Sequence, residues 1–127
     1  MKVICVDDEE IVLAKIVSLC EKIPVVSEVK GFADSQEVLA WSNDHIADVA
    51  LLDINMPDMD GLMLAARIKE RHPDTRIIFV TGYPEYAVDA FKLRVSGYLL
   101  KPVTKERLEE ELLYVNDRQP IKKYPHG

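Results

Sequence analysis

The chain has 127 residues, of which 48% are apolar, and 22 acidic side chains against 16 basic ones give it a formal net charge of −6. A length of this order suits one domain, and this mixture can bury a core under a solvated surface, which excludes a disordered or fibrous chain. The negative balance opposes direct binding to a nucleic-acid backbone; the first apolar run is too short for a signal peptide or a membrane span, so no membrane association and a cytoplasmic location are expected.

The first strand is expected over Lys2–Val6, ending at Asp7 and Asp8. A helix over residues 9–22 follows, with Val12, Ile16, Leu19, Cys20 and Ile23 on one buried stripe. A second strand is read over residues 25–32. The second helix then starts at Asp34 or Ser35, because Asp34 followed by Glu37 has the form of a capping box; it buries Val38 and Leu39 and fades at Asn43 and Asp44. Val49–Leu52 is the third strand, and a third helix begins after Asp60 and Gly61, carries Leu64, Ala65 and Ile68 on one face, and stops before Pro73. A fourth strand over residues 76–80 precedes a short fourth helix over residues 85–93, whose irregular stripe makes it the least firmly anchored. The fifth strand is Gly97–Leu100, and the fifth helix starts at Thr104 as N-cap, with Leu108, Leu112 and Val115 facing inward. Beyond Val115 there are two prolines and no helical stripe. The domain is therefore expected over residues 1–117, with 118–127 as a linker or tail.

Cys5 and Cys20 lack the spacing of a zinc site or a disulfide framework and read as small buried hydrophobes. His45, His72 and His126 likewise lack ligand spacing. The strands are continuous apolar runs, as in a parallel sheet covered on both faces, and five βα units with right-handed crossovers make a doubly wound three-layer α/β fold. In such sheets ligands bind beyond the carboxyl ends of the strands.

At those ends stand Asp7 and Asp8, Asp53, Thr81 and Lys101. Each has an ordinary structural role when taken singly: a helix cap for the acidic pair, turn residues for Asp53 and Thr81, a solvated lysine before a proline. Their convergence on one sheet edge favours a chemical role. Clustered carboxylates raise one another's pKa unless positive charge is supplied, and magnesium, which takes one or two carboxylates and shares its remaining positions with water and phosphate oxygens, suits them best. A carboxylate beside such a cation can attack phosphorus to give an aspartyl phosphate, with the metal, a lysine and a hydroxyl stabilising the equatorial oxygens.

The motifs Val6-Asp7-Asp8-Glu9, Asp53-Ile54-Asn55-Met56-Pro57-Asp58-Met59-Asp60-Gly61, Thr81-Gly82 and Tyr98-Leu99-Leu100-Lys101-Pro102 resemble the receiver domain of bacterial two-component response regulators. The stretches 82–91 and 97–103 are most similar to LytTR-type (LytR/AlgR-like) transcription regulators. The resemblance implies a flavodoxin-like (βα)5 parallel sheet of order 2-1-3-4-5. It implies Asp53 as phosphoacceptor, with magnesium on Asp8, Asp53 and the backbone carbonyl of Asn55, and Asp7 acting through water. It further implies Thr81 and Lys101 on phosphoryl oxygens, Thr81 and Tyr98 as the switch pair, and a cis bond before Pro102. Asn55 and Tyr83 flank the site where the family varies, and Gly82 stands where many receivers carry alanine.

The partners so implied are a sensor histidine kinase, docking in part on helix one near Lys15, Ser18 and Glu21, and a second copy through the surface of the fourth helix, fifth strand and fifth helix. DNA would be bound only by an output domain outside this chain. The chain is expected not to be an enzyme beyond assisting its own phosphorylation and dephosphorylation. The alternatives are a stand-alone receiver, a pseudo-receiver acting by protein contact alone, and a haloacid dehalogenase-type phosphatase. The last usually has a second Asp two residues after its nucleophile, where this chain has Asn55.

Overall fold

The apolar runs lack polar alternation because both faces of each strand are covered. The computed structural model describes residues 1–118, so the expected tail lies, apart from Arg118, outside the described residues. In chain order the elements are β1 (Lys2–Val6), α1 (Glu10–Glu21), β2 (Glu28–Phe32), α2 (Ser35–Trp41), β3 (Val49–Leu52), α3 (Gly61–Arg71) and β4 (Arg76–Thr81). A 3-10 turn (Pro84–Tyr86), α4 (Ala87–Lys92), β5 (Gly97–Leu100) and α5 (Lys105–Arg118) complete them. The five strands form one sheet of order β2-β1-β3-β4-β5, every pair parallel.

Successive side chains of a strand point to opposite faces, and the two cores divide accordingly. Ile4 and Val6, Ala50 and Leu52, Ile77 and Phe79 pack under α2 and α3 with Val38, Leu64, Ala65 and Ile68. Val3 and Cys5, Val49 and Leu51, Ile78 and Val80 pack under α1 and α5 with Ile16, Cys20, Leu108 and Leu112. Cys5 and Cys20 are both buried and unbridged. The hydrogen bond between their thiols, with burial adding to it, pushes the Cys5 thiol well up. The caps are as expected: Asp34 accepts from the Glu37 amide at 2.8 Å and Thr104 from the Arg107 amide at 3.1 Å. Among the described residues no helix is long and apolar enough to cross a membrane.

Thr81 is the last residue of β4 rather than the first beyond it, α1 and α2 are shorter than read by one to three residues at their ends, and larger differences fall at β2, α4 and α5. β2 begins at Glu28 because residues 25–27 form a turn: the Val26 amide donates to the Ile23 carbonyl at 3.0 Å, and the terminal ammonium of Met1 bonds the Val25 carbonyl at 2.7 Å. Val25 and Val26 are apolar because they pack on the α1–α5 layer, not because they pair in the sheet. α5 runs on to Arg118, past its last buried side chain, Val115, so a polar sequence there still forms helix. α4 has six residues with only Ala90 buried, preceded by the 3-10 turn. Arg94, just beyond it, has φ 57°, a left-handed turn usually given to glycine.

Leu112 is fully buried beneath the sheet, whereas its neighbour Leu113 is 43% exposed. Leu112→Ala is expected to cost about 2–5 kcal/mol in urea unfolding, and Leu113→Ala less than about 0.5 kcal/mol. Equal losses would contradict this placement of α5.

Candidate functional site

Strand register brings the acidic residues together. Val6 pairs with Leu52 across β1 and β3, so Asp7 and Asp53 leave adjacent strands at the same level. The Asp53 amide bonds the Val6 carbonyl at 3.0 Å, and the Asp7 amide bonds the Phe32 carbonyl at 3.2 Å. Carboxylate oxygens of Asp7, Asp8 and Asp53 lie within 4.8 Å of one another. Asp7 and Asp53 are only 2% and 5% exposed, while Asp8 is open to solvent. On the other side of the sheet Thr81 pairs with Leu100, and the Lys101 amide bonds the Thr81 carbonyl at 2.9 Å.

Lys101 joins the two halves. Its Nζ lies 2.7 Å from Asp7 Oδ2, 3.2 Å from Asp53 Oδ2 and 4.0 Å from Glu9 Oε1 at the rim. The remaining oxygens of the buried carboxylates are held by backbone: Asp7 Oδ1 accepts from the Glu9 amide at 2.9 Å and Asp53 Oδ1 from the Ile54 amide at 2.8 Å. Burial alone would lower the lysine pKa, but the hydrogen bond that the ammonium donates to Asp7 and the negative charges of Asp53 and Asp7 outweigh it and hold the ammonium above its ordinary value. The Lys101–Pro102 bond is cis, as the resemblance implied. The acidic pair does not serve as a helix cap, because the N-cap of α1 is Glu9 and it makes no side-chain capping bond.

Tyr83 links the remaining candidates. Its amide donates to Oγ1 of the fully buried Thr81 at 3.3 Å, its carbonyl accepts from the Tyr98 hydroxyl, and its own hydroxyl accepts from Asn55 Nδ2 at 3.1 Å. Tyr98 therefore stands outside the charged cluster but is one residue removed from Thr81. Its ring lies 6.1 Å from that of Phe79, and loss of water pushes its phenol above its usual range. Glu9, Asp53, Asn55, Gly82, Tyr83 and Lys101 line a cleft of about 320 Å³ over the cluster. A methyl group on Gly82 would meet nothing within 4 Å, so the departure from alanine there is sterically neutral.

The loop after β3 is closed by Gly61, whose amide bonds the Ile54 carbonyl at 2.7 Å. A Cβ on Gly61 would lie 2.0 Å from the Asp53 carbonyl oxygen, so only glycine fits. The sequence places Gly61 at the start of the third helix and at the end of the Asp53–Gly61 motif but gives no signal for its contact with the Asp53 carbonyl, for the three bonds of Tyr83 or for Glu9 beside Lys101, since contacts between distant residues leave no local pattern. The donor set suits a hard divalent cation: three carboxylates, one of them facing solvent, close in the chain to the exposed Asn55.

A five-stranded sheet of this order with acidic, hydroxyl and lysine groups at its carboxyl edge defines a class: the chain belongs to the response regulator receiver domain family, whose model matches residues 3–113. It is 37% identical over 113 residues to the positive alginate biosynthesis regulatory protein of Pseudomonas aeruginosa, covering 88% of this chain and 46% of that one. It is 32% identical over 110 residues to the transcriptional regulatory protein LytR of Staphylococcus aureus, covering 87% of this chain and 45% of that one. Both agree with the LytR/AlgR-like resemblance, and the chain spans less than half the length of each. A CheY-like receiver domain from Methanospirillum hungatei superposes with a TM-score of 0.86 at 29% identity, covering 95% and 97% of the two chains. The phosphatase alternative is not retained.

A lysine pKa raised by folding means that the folded state holds the proton more tightly than the unfolded chain. Its contribution to stability is complete below the ordinary value of 10.5 and is lost as pH climbs through the higher folded value. Urea unfolding from about pH 9 to about pH 12 is expected to show a steeper loss of stability for the native chain than for Lys101→Met. Parallel curves would contradict the pairing of Lys101 with Asp7 and Asp53.

Proposed function

We propose that this chain is the phosphoryl-accepting switch of a two-component transcription regulator, with Asp53 as the acceptor. The observation that carries the reading is the Lys101 ammonium bonded to both Asp7 and Asp53 within a group of three convergent carboxylates. Magnesium, held by Asp8, Asp53 and the Asn55 carbonyl with Asp7 acting through water, supplies when bound the positive charge that lets a carboxylate meet a phosphoryl group. The Ile54 amide restrains the Asp53 carboxylate as a P–O bond forms to it. The P–N bond to the histidine of a sensor kinase breaks in the same step, and its electron pair leaves with the nitrogen. Lys101 and the Thr81 hydroxyl donate to the oxygens of the transferred group. The chain turns over no substrate other than this phosphoryl group, whose attachment and hydrolysis it assists.

The new group adds about two negative charges. Thr81 reorients its hydroxyl toward them, which alters its bond to the Tyr83 amide, and Tyr98, bonded to the Tyr83 carbonyl, follows. α4, anchored by Ala90 alone, is the element free to shift. Val88, Phe91, Leu100 and Leu113 are exposed on α4, β5 and α5, an apolar surface that suits a second copy of the chain. The phosphoryl group biases an equilibrium between two existing states. A groove of about 300 Å³ between α1 and the loop after β5, lined by Val12, Lys15, Ile16, Leu19, Pro102 and Val103, suits the kinase, with the exposed Ser18 and Glu21 nearby. Residues 1–117 form the receiver unit and the following segment leads to an output domain, to which DNA binding belongs.

Brief treatment with a small phosphodonor is expected to raise the intact mass by one phosphoryl group. The gain should require magnesium and be absent in Asp53→Asn. Equal gain in that variant would overturn Asp53 as the acceptor, and no gain in the native chain with beryllofluoride also unbound would leave a receiver that acts by contact alone.

A further inference from the structure

The loop after β3 is fastened to α2 by contacts that the phosphoryl chemistry does not itself use. Asp58 Oδ2 accepts from the Ser35 amide at 3.0 Å and the Gln36 amide at 3.3 Å, and the Ser35 hydroxyl donates to the Met59 carbonyl at 2.9 Å. Ser35 is fully buried, so the two bonds that it makes are partly shielded from water, whereas the Gln36 amide bond lies at the surface. α2 already has its own cap in Asp34, which takes the Glu37 amide; Asp58, 23 residues from Ser35 in the chain, serves the two amides that Asp34 does not reach. Together with Gly61 on the Ile54 carbonyl, the clasp closes the loop at both ends. Between those ends Ile54 and Met56 point into the core, and Asn55, between them, is exposed.

We infer that Asp58 is a positioning residue for the metal: by clasping α2 it fixes the part of the loop that aims the Asn55 carbonyl. This rests on reading the strand-end cluster as the metal and phosphoryl site. Asp58 is not one of the clustered carboxylates, so it acts through the backbone. A carbonyl that is already aimed pays no ordering entropy when a cation arrives, and partners that orient metal ligands commonly change metal affinity by 10–100-fold. The charge of Asp58 would also attract a cation, and an amide at this position separates the two effects: asparagine retains an oxygen for both N–H donors and carries no charge.

The test is a titration of the whole chain with magnesium chloride alone, followed by the NMR shifts of the loop amides, for the native chain, Asp58→Ala and Asp58→Asn. Amide hydrogen exchange at Ser35 and Gln36 is measured on the metal-free proteins. Asp58 is exposed, so both variants keep the core intact. Asp58→Ala is expected to weaken magnesium about tenfold and to speed exchange at both amides, while Asp58→Asn stays close to the native chain in both measurements. Native affinity in Asp58→Ala, or equal weakening in both variants, would overturn the positioning role. If the native chain itself bound no magnesium, the reading of the cluster would fall with it, which is distinct from a native chain that binds and variants that match it.

Discussion

Asp7 and Asp53 end neighbouring strands, both are buried, and both face the ammonium of Lys101 at 2.7 and 3.2 Å. Two like charges about 4 Å apart repel by about 4 kcal/mol at an effective dielectric constant near 20. The ammonium between them offsets that repulsion. Lys101 is therefore the constraint on which the site depends. It also explains why β5 must end beside β4: the Lys101 amide on the Thr81 carbonyl sets the distance from which the side chain reaches across the edge.

The rest of the fold can be understood as the means of keeping that arrangement. Parallel register places Asp7 and Asp53 level with each other, and buried cores on both faces keep the sheet from sliding. The loop after β3 is fixed by backbone contact at Gly61, where no side chain fits. On the opposite flank the arrangement is looser. Tyr83 joins Thr81, Tyr98 and Asn55 through single bonds, and the α4 that follows has little buried surface. On the function proposed above, a firm strand-end cluster beside a looser flank suits a switch, because a bound charge must stay in place while its consequence moves.

The strand ends were legible in the sequence because strands buried on both faces read as unbroken apolar runs, so the residues after Val6, Leu52 and Leu100 could be placed without knowing any contact. The same signal misled at Val25 and Val26, where apolar character serves helix packing in a turn. The end of α5 was illegible because Asn116 and Asp117 lie beyond the last core contact, and periodicity carries no information there. The bonds of Asp58 to α2 and of Tyr83 to three partners join residues far apart in the chain. Only the folded backbone brings them within reach, so no spacing could have announced them.

The most direct measurement is a crystal structure of the chain grown with magnesium and beryllofluoride. Beryllium is expected on the Asp53 carboxylate, with the Thr81 hydroxyl and the Lys101 ammonium on separate fluorines and magnesium ligated by Asp8, Asp53 and the Asn55 carbonyl. Beryllofluoride on another residue, or a Lys101 ammonium still bonded to Asp7 and Asp53 alone, would contradict that arrangement.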